Sequence, residues 1–188
     1  MQNLNELAKE VHAGNVERGF YEVQPTLKTQ LMLVITELSE AVESDRKGRY
    51  ARVERYNEGI DIFTSCPNYF INTPYPKEEF EKYIKDTFED EIADAFIRLL
   101  DIAGNYDAYI QSALSGFFVN DNKIDDIFVM TYRICLISKH EEQFFRLLNE
   151  SIYSIIEYCS KYKIDLNFHV TEKLKYNSTR PYKHGKNY

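Results

Sequence analysis

Tryptophan is absent from this chain, and glycine, proline and cysteine are few, at 7, 5 and 3 in 188 residues. So few turn-forming residues suit a helical protein better than a strand-and-turn one, and 15 Tyr with 12 Phe supply the bulk of a core. The cysteines, Cys66, Cys135 and Cys159, are odd in number and lack CxxC spacing. They indicate neither a disulfide framework nor a zinc site and fit reduced thiols. No apolar run approaches the roughly 20 residues that cross a bilayer, and the polar, mixed-charge residues 1–10 lack the pattern of a secretory leader. The expectation is a soluble, cytoplasmic protein with no membrane partner. Positive charge is also short: the net charge of −7 argues against a general nucleic-acid binder, and such bases as there are gather near the C-terminus. The length fits one domain over residues 1–188 that buries a substantial core.

What the chain does have is helical periodicity, which makes the expected fold class all-α, a helical bundle. Leu4, Leu7, Ala8 and Val11 predict a first helix ending before Gly14. Pro25 and Gly48 are placed to start and stop a second, over residues 25–47, with Leu27, Leu31, Val34, Leu38, Ala41 and Val42 as its apolar stripe. Residues 49–76 are turn-rich and read as a loop or lid with one short helix near residues 51–56. A long helical pattern follows over residues 77–103, with a break near Asp86-Thr87 and Gly104 as its stop. Helices are also expected over 106–118, 124–138, 141–162 and 165–176. The pair joined at Lys139-His140 carries little chemistry and reads as packing or oligomer surface.

Two carboxylate pairs stand out within the apolar runs: Glu37 with Glu40, and Glu91 with Asp94. Spacing of three puts each pair on one side of its helix, about 4.5 Å apart along the axis. Two such helices face to face bring four acids together, an arrangement costly to desolvate unless a cation sits among them. Oxygen donors without histidine favour Mg²⁺, with Mn²⁺ as a substitute. Glu91, Asp94, Arg98 and Asp101 continue one stripe beside the core. Near the C-terminus, residues 173–186 hold six basic side chains, His184 included, interleaved with Tyr176 and Asn177. The functional reading is a phosphate clamp, with Lys173 as a point charge and Arg180 as a fork; the bland reading is a disordered basic tail. Taken alone, His12 and the Gly19-Phe20-Tyr21 segment read as a satisfied polar residue and core packing.

The order ExxE, then ExxD, then Lys-x-x-Tyr-Asn-x-x-Arg-Pro-x-Lys-His-Gly-Lys resembles the all-α nucleoside triphosphate pyrophosphohydrolases, the MazG-like superfamily that includes dimeric dUTPases and dCTP pyrophosphatases. The resemblance runs from about His12 to Lys186. It implies a four-helix core with added C-terminal helices and Mg²⁺-dependent cleavage of a nucleoside triphosphate between the α- and β-phosphates. It also implies a homodimer or homotetramer. Carried over by position, Glu37, Glu40, Glu91 and Asp94 are the metal ligands, and Glu37 or Glu40 activates the attacking water. Lys173, Tyr176, Asn177 and Arg180, with Arg98, hold the substrate phosphates, in a basic segment over residues 173–188. His12 and Tyr21 match the base-binding histidine and aromatic of the dCTP-cleaving members. The interval between Glu40 and Glu91 is longer than in compact members, and residues 105–162 add helices beyond a minimal core. An alternative on the same fold is a non-catalytic nucleotide-sensing or protein-interaction module. A di-iron bundle is disfavoured because neither acidic motif has histidine at the needed place.

Overall fold

The computed structural model describes residues 3–65, 75–112, 118 and 121–182. Among them are eight α-helices and no strand: α1 (Leu4–Glu17), α2 (Leu27–Arg46), α3 (Val53–Ser65), α4 (Lys77–Tyr83), α5 (Phe88–Asn105), α6 (Lys123–Lys139), α7 (Phe144–Tyr162) and α8 (Leu166–Ser178), with a 3-10 turn at Glu141–Gln143 before α7. The all-α expectation holds.

Helix α5 is the axis of the fold, packing against α1, α2, α7 and α8, while α6 packs on α2 and α7. Ile92, Ala95, Phe96, Leu99 and Leu100 of α5 are fully buried. Helices α2 and α5 run antiparallel in a register fixed by polar contacts along their length. Asn105 Nδ2 donates to Gln30 Oε1 (3.5 Å), Arg98 Nε to Glu37 Oε1 (2.5 Å) and Ser44 Oγ to the Asp86 carbonyl (3.1 Å). That register brings the two acidic motifs level with each other.

Helix starts follow capping chemistry. Thr26 caps α2 by accepting from the Thr29 amide, so the helix begins at Leu27 rather than at Pro25. Asn122 caps α6 and Asp165 caps α8 in the same way. The predicted break between α4 and α5 is present, but Asp86 does not cap α5. It sits in the left-handed region, at φ 57°, and Thr87 is the N-cap.

Four expectations are corrected. Helix α1 runs through Gly14 to Glu17. Gly104 lies inside α5 and is not its stop: a Cβ there would come 2.5 Å from the Ala8 carbonyl oxygen and 2.6 Å from His12 Cβ, so its lack of a side chain lets α1 and α5 approach. Residues 106–112 are not helical. The Tyr106, Asp107 and Ala108 amides close the end of α5 on its own carbonyls, and beyond them the Ile110 amide donates to Asn5 Oδ1 (2.7 Å) and the Gln111 amide to Asn149 Oδ1 (3.1 Å). The rest of that predicted helix, but for Phe118, lies outside the described residues.

The fourth correction concerns residues 49–76. The short helix expected near residues 51–56 is longer, with residues 53–65 forming α3, which packs with α4; residues 66–74, on which the turn-rich part of the expected loop or lid falls, lie outside the described residues. Tyr56, Phe80, Ile84 and Tyr176 make a second apolar cluster that joins this hairpin to α8. Phe80 stacks on Tyr176 at 4.6 Å, Tyr56 donates a short hydrogen bond to Glu172, and Tyr176 donates to Glu81 (2.9 Å). The segment supports α8 from outside.

Replacing a mid-helix glycine by alanine ordinarily stabilises by up to about 1 kcal/mol. At Gly104 the new methyl meets backbone across the α1–α5 contact, so Gly104→Ala should destabilise instead, by about 1–3 kcal/mol. Denaturant unfolding checks this, and a variant at least as stable as the parent contradicts the packing role.

Candidate functional site

A cleft of about 1170 Å³ opens beside α2 and α5, and α8 forms another of its walls. It is lined by Glu37, Glu40, Glu91, Asp94, Arg98, Tyr21, Lys173, Tyr176, Asn177 and Arg180, which are all of the sequence-predicted site residues except His12. Residues far apart in the chain thus share one cavity.

Carboxylate oxygens of Glu37, Glu40 and Glu91 lie within 4.8 Å of one another and offer a hard-oxygen set for a divalent cation. Glu37 and Glu91 are 6% and 4% exposed, whereas Glu40 is exposed. Burial, then the charge of Asp94, pushes the Glu91 carboxyl up to about 9 against the pull of Lys173. Burial likewise raises Glu37, with Arg98 opposing it and Asp94 adding to it. These acids are held where their ionised form is disfavoured unless positive charge joins them.

Asp94, expected as the fourth ligand, faces a different partner. Lys173 Nζ lies 2.7 Å from Asp94 Oδ2 and 2.7 Å from Asp90 Oδ2, and Lys173 is 5% exposed. Desolvation pulls the Lys173 ammonium down, but Asp94 and Asp90 outweigh it and keep it charged. Lys173 is therefore a clamp for two acids, not a residue of a free tail. The segment expected as a basic tail begins as helix, with residues 173–178 belonging to α8; Lys183, His184 and Lys186 lie outside the described residues. Arg98 is engaged as well, with Glu37.

Asn177 of α8 and Arg180, just past the end of that helix, line the cleft. Arg180 lines the cleft with its guanidinium 5.9 Å from the Tyr176 ring centre. Asn177 Oδ1 is buried without a hydrogen-bond partner among the described residues, a position that normally calls for a donor from a ligand or water.

The cleft floor between Tyr21, Gln30 and Asp101 is a hydrogen-bonded network. His12 Nδ1 lies 3.0 Å from Asp101 Oδ1, Gln30 Nε2 donates to the Tyr21 hydroxyl (2.8 Å), and Tyr21 also bonds Asp101. Burial raises Asp101, while its bonds to His12, Tyr21 and Asn15 oppose the rise. His12 meets the Tyr21 ring edge-on at 4.6 Å but does not line the cleft, so its place is behind Tyr21.

Sequence reasoning missed Asp90, Lys85 and Gln30. Asp90 is fully buried and accepts from both Lys173 and the Asp86 amide (3.0 Å). Its signal was legible in part, because Asp90 and Asp94 are four apart and share one helix side. Lys85 lines the cleft with Nζ 2.7 Å from Asp86 Oδ2. Gln30 is buried on the cleft side of α2, and nothing in its sequence neighbourhood marks it.

No family model, no curated protein and no solved structure matches this chain. The chemistry of the cleft rests on the geometry above.

Because the folded state holds Glu91 protonated well above its ordinary value of 4.5, it binds a proton that the unfolded chain has released. Stability contributed by this group is therefore present at low pH and lost as pH rises from about 4.5 through about 9. In EDTA the melting temperature should fall across that window. Mg²⁺ should reduce the fall by taking the proton's place, and Glu91→Gln should flatten it without metal. A melting temperature that rises with pH in EDTA, or one indifferent to Mg²⁺, contradicts the assignment.

Proposed function

We propose that this protein hydrolyses a nucleoside triphosphate between its α- and β-phosphates, releasing the nucleoside monophosphate and pyrophosphate, with Mg²⁺ as its metal and Mn²⁺ as a substitute. The observation that carries this reading is the meeting, in one cleft, of the Glu37, Glu40 and Glu91 carboxylates with the phosphate-binding types Asn177 and Arg180. The resemblance of the two acidic motifs and the C-terminal motif to MazG-like enzymes points the same way.

Three carboxylate oxygens with no histidine or cysteine suit Mg²⁺ better than a softer ion. When bound by Glu37, Glu40 and Glu91, the ion supplies neutralisation of charge on non-bridging phosphate oxygens. The protein's own groups do the rest. Arg180 offers a planar fork to phosphate oxygens, and the Asn177 amide group lies beside it on α8. A glutamate of the first pair accepts the proton of the attacking water as the new oxygen–phosphorus bond forms. The bond from the α-phosphorus to its bridging oxygen breaks, and pyrophosphate carries the electron pair away. Arg98 holds Glu37 in place, and Lys173 does the same for Asp94. Gln30, two helical turns along α2 from Glu37, and Tyr21, which it bonds, face the base. On this reading the enzyme trims a cytoplasmic nucleotide pool and works as a homo-oligomer.

A nucleotide-sensing module on the same fold is the competing reading, and turnover separates the two. A panel of ribo- and deoxyribonucleoside triphosphates assayed with Mg²⁺, Mn²⁺ or EDTA should yield pyrophosphate and an equal amount of monophosphate, only with metal. Glu37→Gln and Glu91→Gln should each lower turnover roughly a hundredfold or more while keeping the helical circular dichroism spectrum. Arg180→Ala should chiefly weaken triphosphate binding. Binding without turnover across the panel would move the assignment to the sensor, and full activity of both glutamine variants would remove the acids from the chemistry.

A further inference from the structure

Helix α6 has a side that the described residues of its own chain leave uncovered. Asp125, Phe128, Tyr132, Cys135 and Lys139 are all exposed, at the alternating three-and-four spacing that lines up one face of a helix. Phe128 is 72% exposed and Tyr132 59%, and the opposite side of α6 already carries the core contacts of Ile127, Met130, Ile134 and Ile137. Single exposed apolar residues are ordinary, but two aromatics and a thiol in one continuous stripe on an amphipathic helix are a surface built for contact.

The ends of the stripe identify the partner. Asp125 closes it with negative charge and Lys139 with positive charge, and Tyr132 lies midway, about 10.5 Å along the axis from each. No ion pair within the chain engages either end among the described residues. A pattern with opposite charges at equal distances from a central aromatic is complementary to itself when one copy is reversed. A twofold axis near Tyr132 sets Asp125 of each copy by Lys139 of the other, and sets Phe128 of each over the Cys135 end of the other. An isologous contact needs such self-complementarity.

We infer that the outward face of α6 pairs antiparallel with the same face of a second copy of this chain. The contact brings two Phe and two Tyr rings into one apolar patch, each able to bury on the order of 150 Å², with an ion pair at either rim. The site described above does not enter the argument, so the inference stands or falls apart from the proposed chemistry.

Sedimentation velocity on the full chain across roughly 1–100 µM tests it, a range chosen to cover ordinary transient and stable dimers. The parent should sediment as a dimer, and Tyr132→Glu as a monomer with unchanged helical circular dichroism. Asp125→Lys should weaken dimerisation at least tenfold, and adding Lys139→Asp to it should restore dimerisation. The double reversal is the decisive arm. If these charges served only the ends of α6, acid at its start and base at its finish, reversing both would compound the damage and restore no association. A monomeric parent, a dimer that survives Tyr132→Glu, or a double reversal no better than the single one each overturns the inference.

Discussion

Much of the cleft depends on one buried contact, the ammonium of Lys173 held between Asp90 and Asp94. Putting an ammonium at 5% exposure costs several kcal/mol of hydration, and two carboxylates at 2.7 Å offset it. The contact also leaves an imbalance. Around Lys173 and Arg98 stand five acids, Glu37, Glu40, Asp90, Glu91 and Asp94, so this wall cannot be neutral with every group ionised. Protonation relieves it in one way, and a divalent cation among Glu37, Glu40 and Glu91 relieves it in another. A fold that kept so many acids for packing alone would gain from apolar replacements of the same volume.

Asp90 turns that electrostatic contact into architecture. One of its oxygens takes both Lys173 from α8 and the amide of Asp86, while Ser44 of α2 bonds the Asp86 carbonyl. Three segments distant in sequence meet at this point, and the left-handed backbone at Asp86 is held by bonds on both of its sides. Strain of that kind persists where surroundings over-determine it. Behind α8, the Tyr56, Phe80 and Tyr176 cluster and the bonds to Glu81 and Glu172 keep the helix from rolling away from α5. Lys173 and Asn177 are thus presented on a supported helix, with Arg180 two residues past its end.

The sequence made the helices legible because apolar spacing reports burial directly, and it made the acids legible because like charges three apart beside a core stripe have no structural use. Ten of the eleven residues singled out from sequence line one cleft, the four acids for that reason and the others through the C-terminal basic cluster and the family resemblance. It failed where a residue's role depends on what another segment brings to it. Gly104 looks like a helix stop by local rules, yet its smallness serves the contact with Ala8. Asp94 looks identical in kind to Glu91, and only the arrival of Lys173 from 79 positions later separates the two. Residues 49–76 are rich in turn formers near their end, but the α3 aromatic Tyr56 finds its partner on α8. Asn5 and Asn149 likewise take up the backbone of residues 109–111 in a way that no local window contains.

The antiparallel register of α2 and α5 also gives the cleft a direction. Along α2, Gln30 precedes Glu37 by seven residues, about 10.5 Å of axial rise, and along α5 Asp101 follows Glu91 by ten, about 15 Å. One end therefore holds the clustered acids, and the other holds the Tyr21 ring, the Gln30 amide and the half-buried Asp101 carboxyl. On the proposed reading the acidic end takes the metal and phosphates and the Tyr21, Gln30 and Asp101 end takes the base, as in a nucleotide, whose phosphates and base lie at opposite ends of a sugar. The Gln30 amide is held by Tyr21 and Asn105. A ring that fills this end must reproduce those bonds or leave the amide unpaired, and the unpaired amide is the heavier cost. On the proposed nucleotide reading, discrimination between bases resides in the Gln30 end of the cleft, while the acids, Asn177 and Arg180 serve any triphosphate.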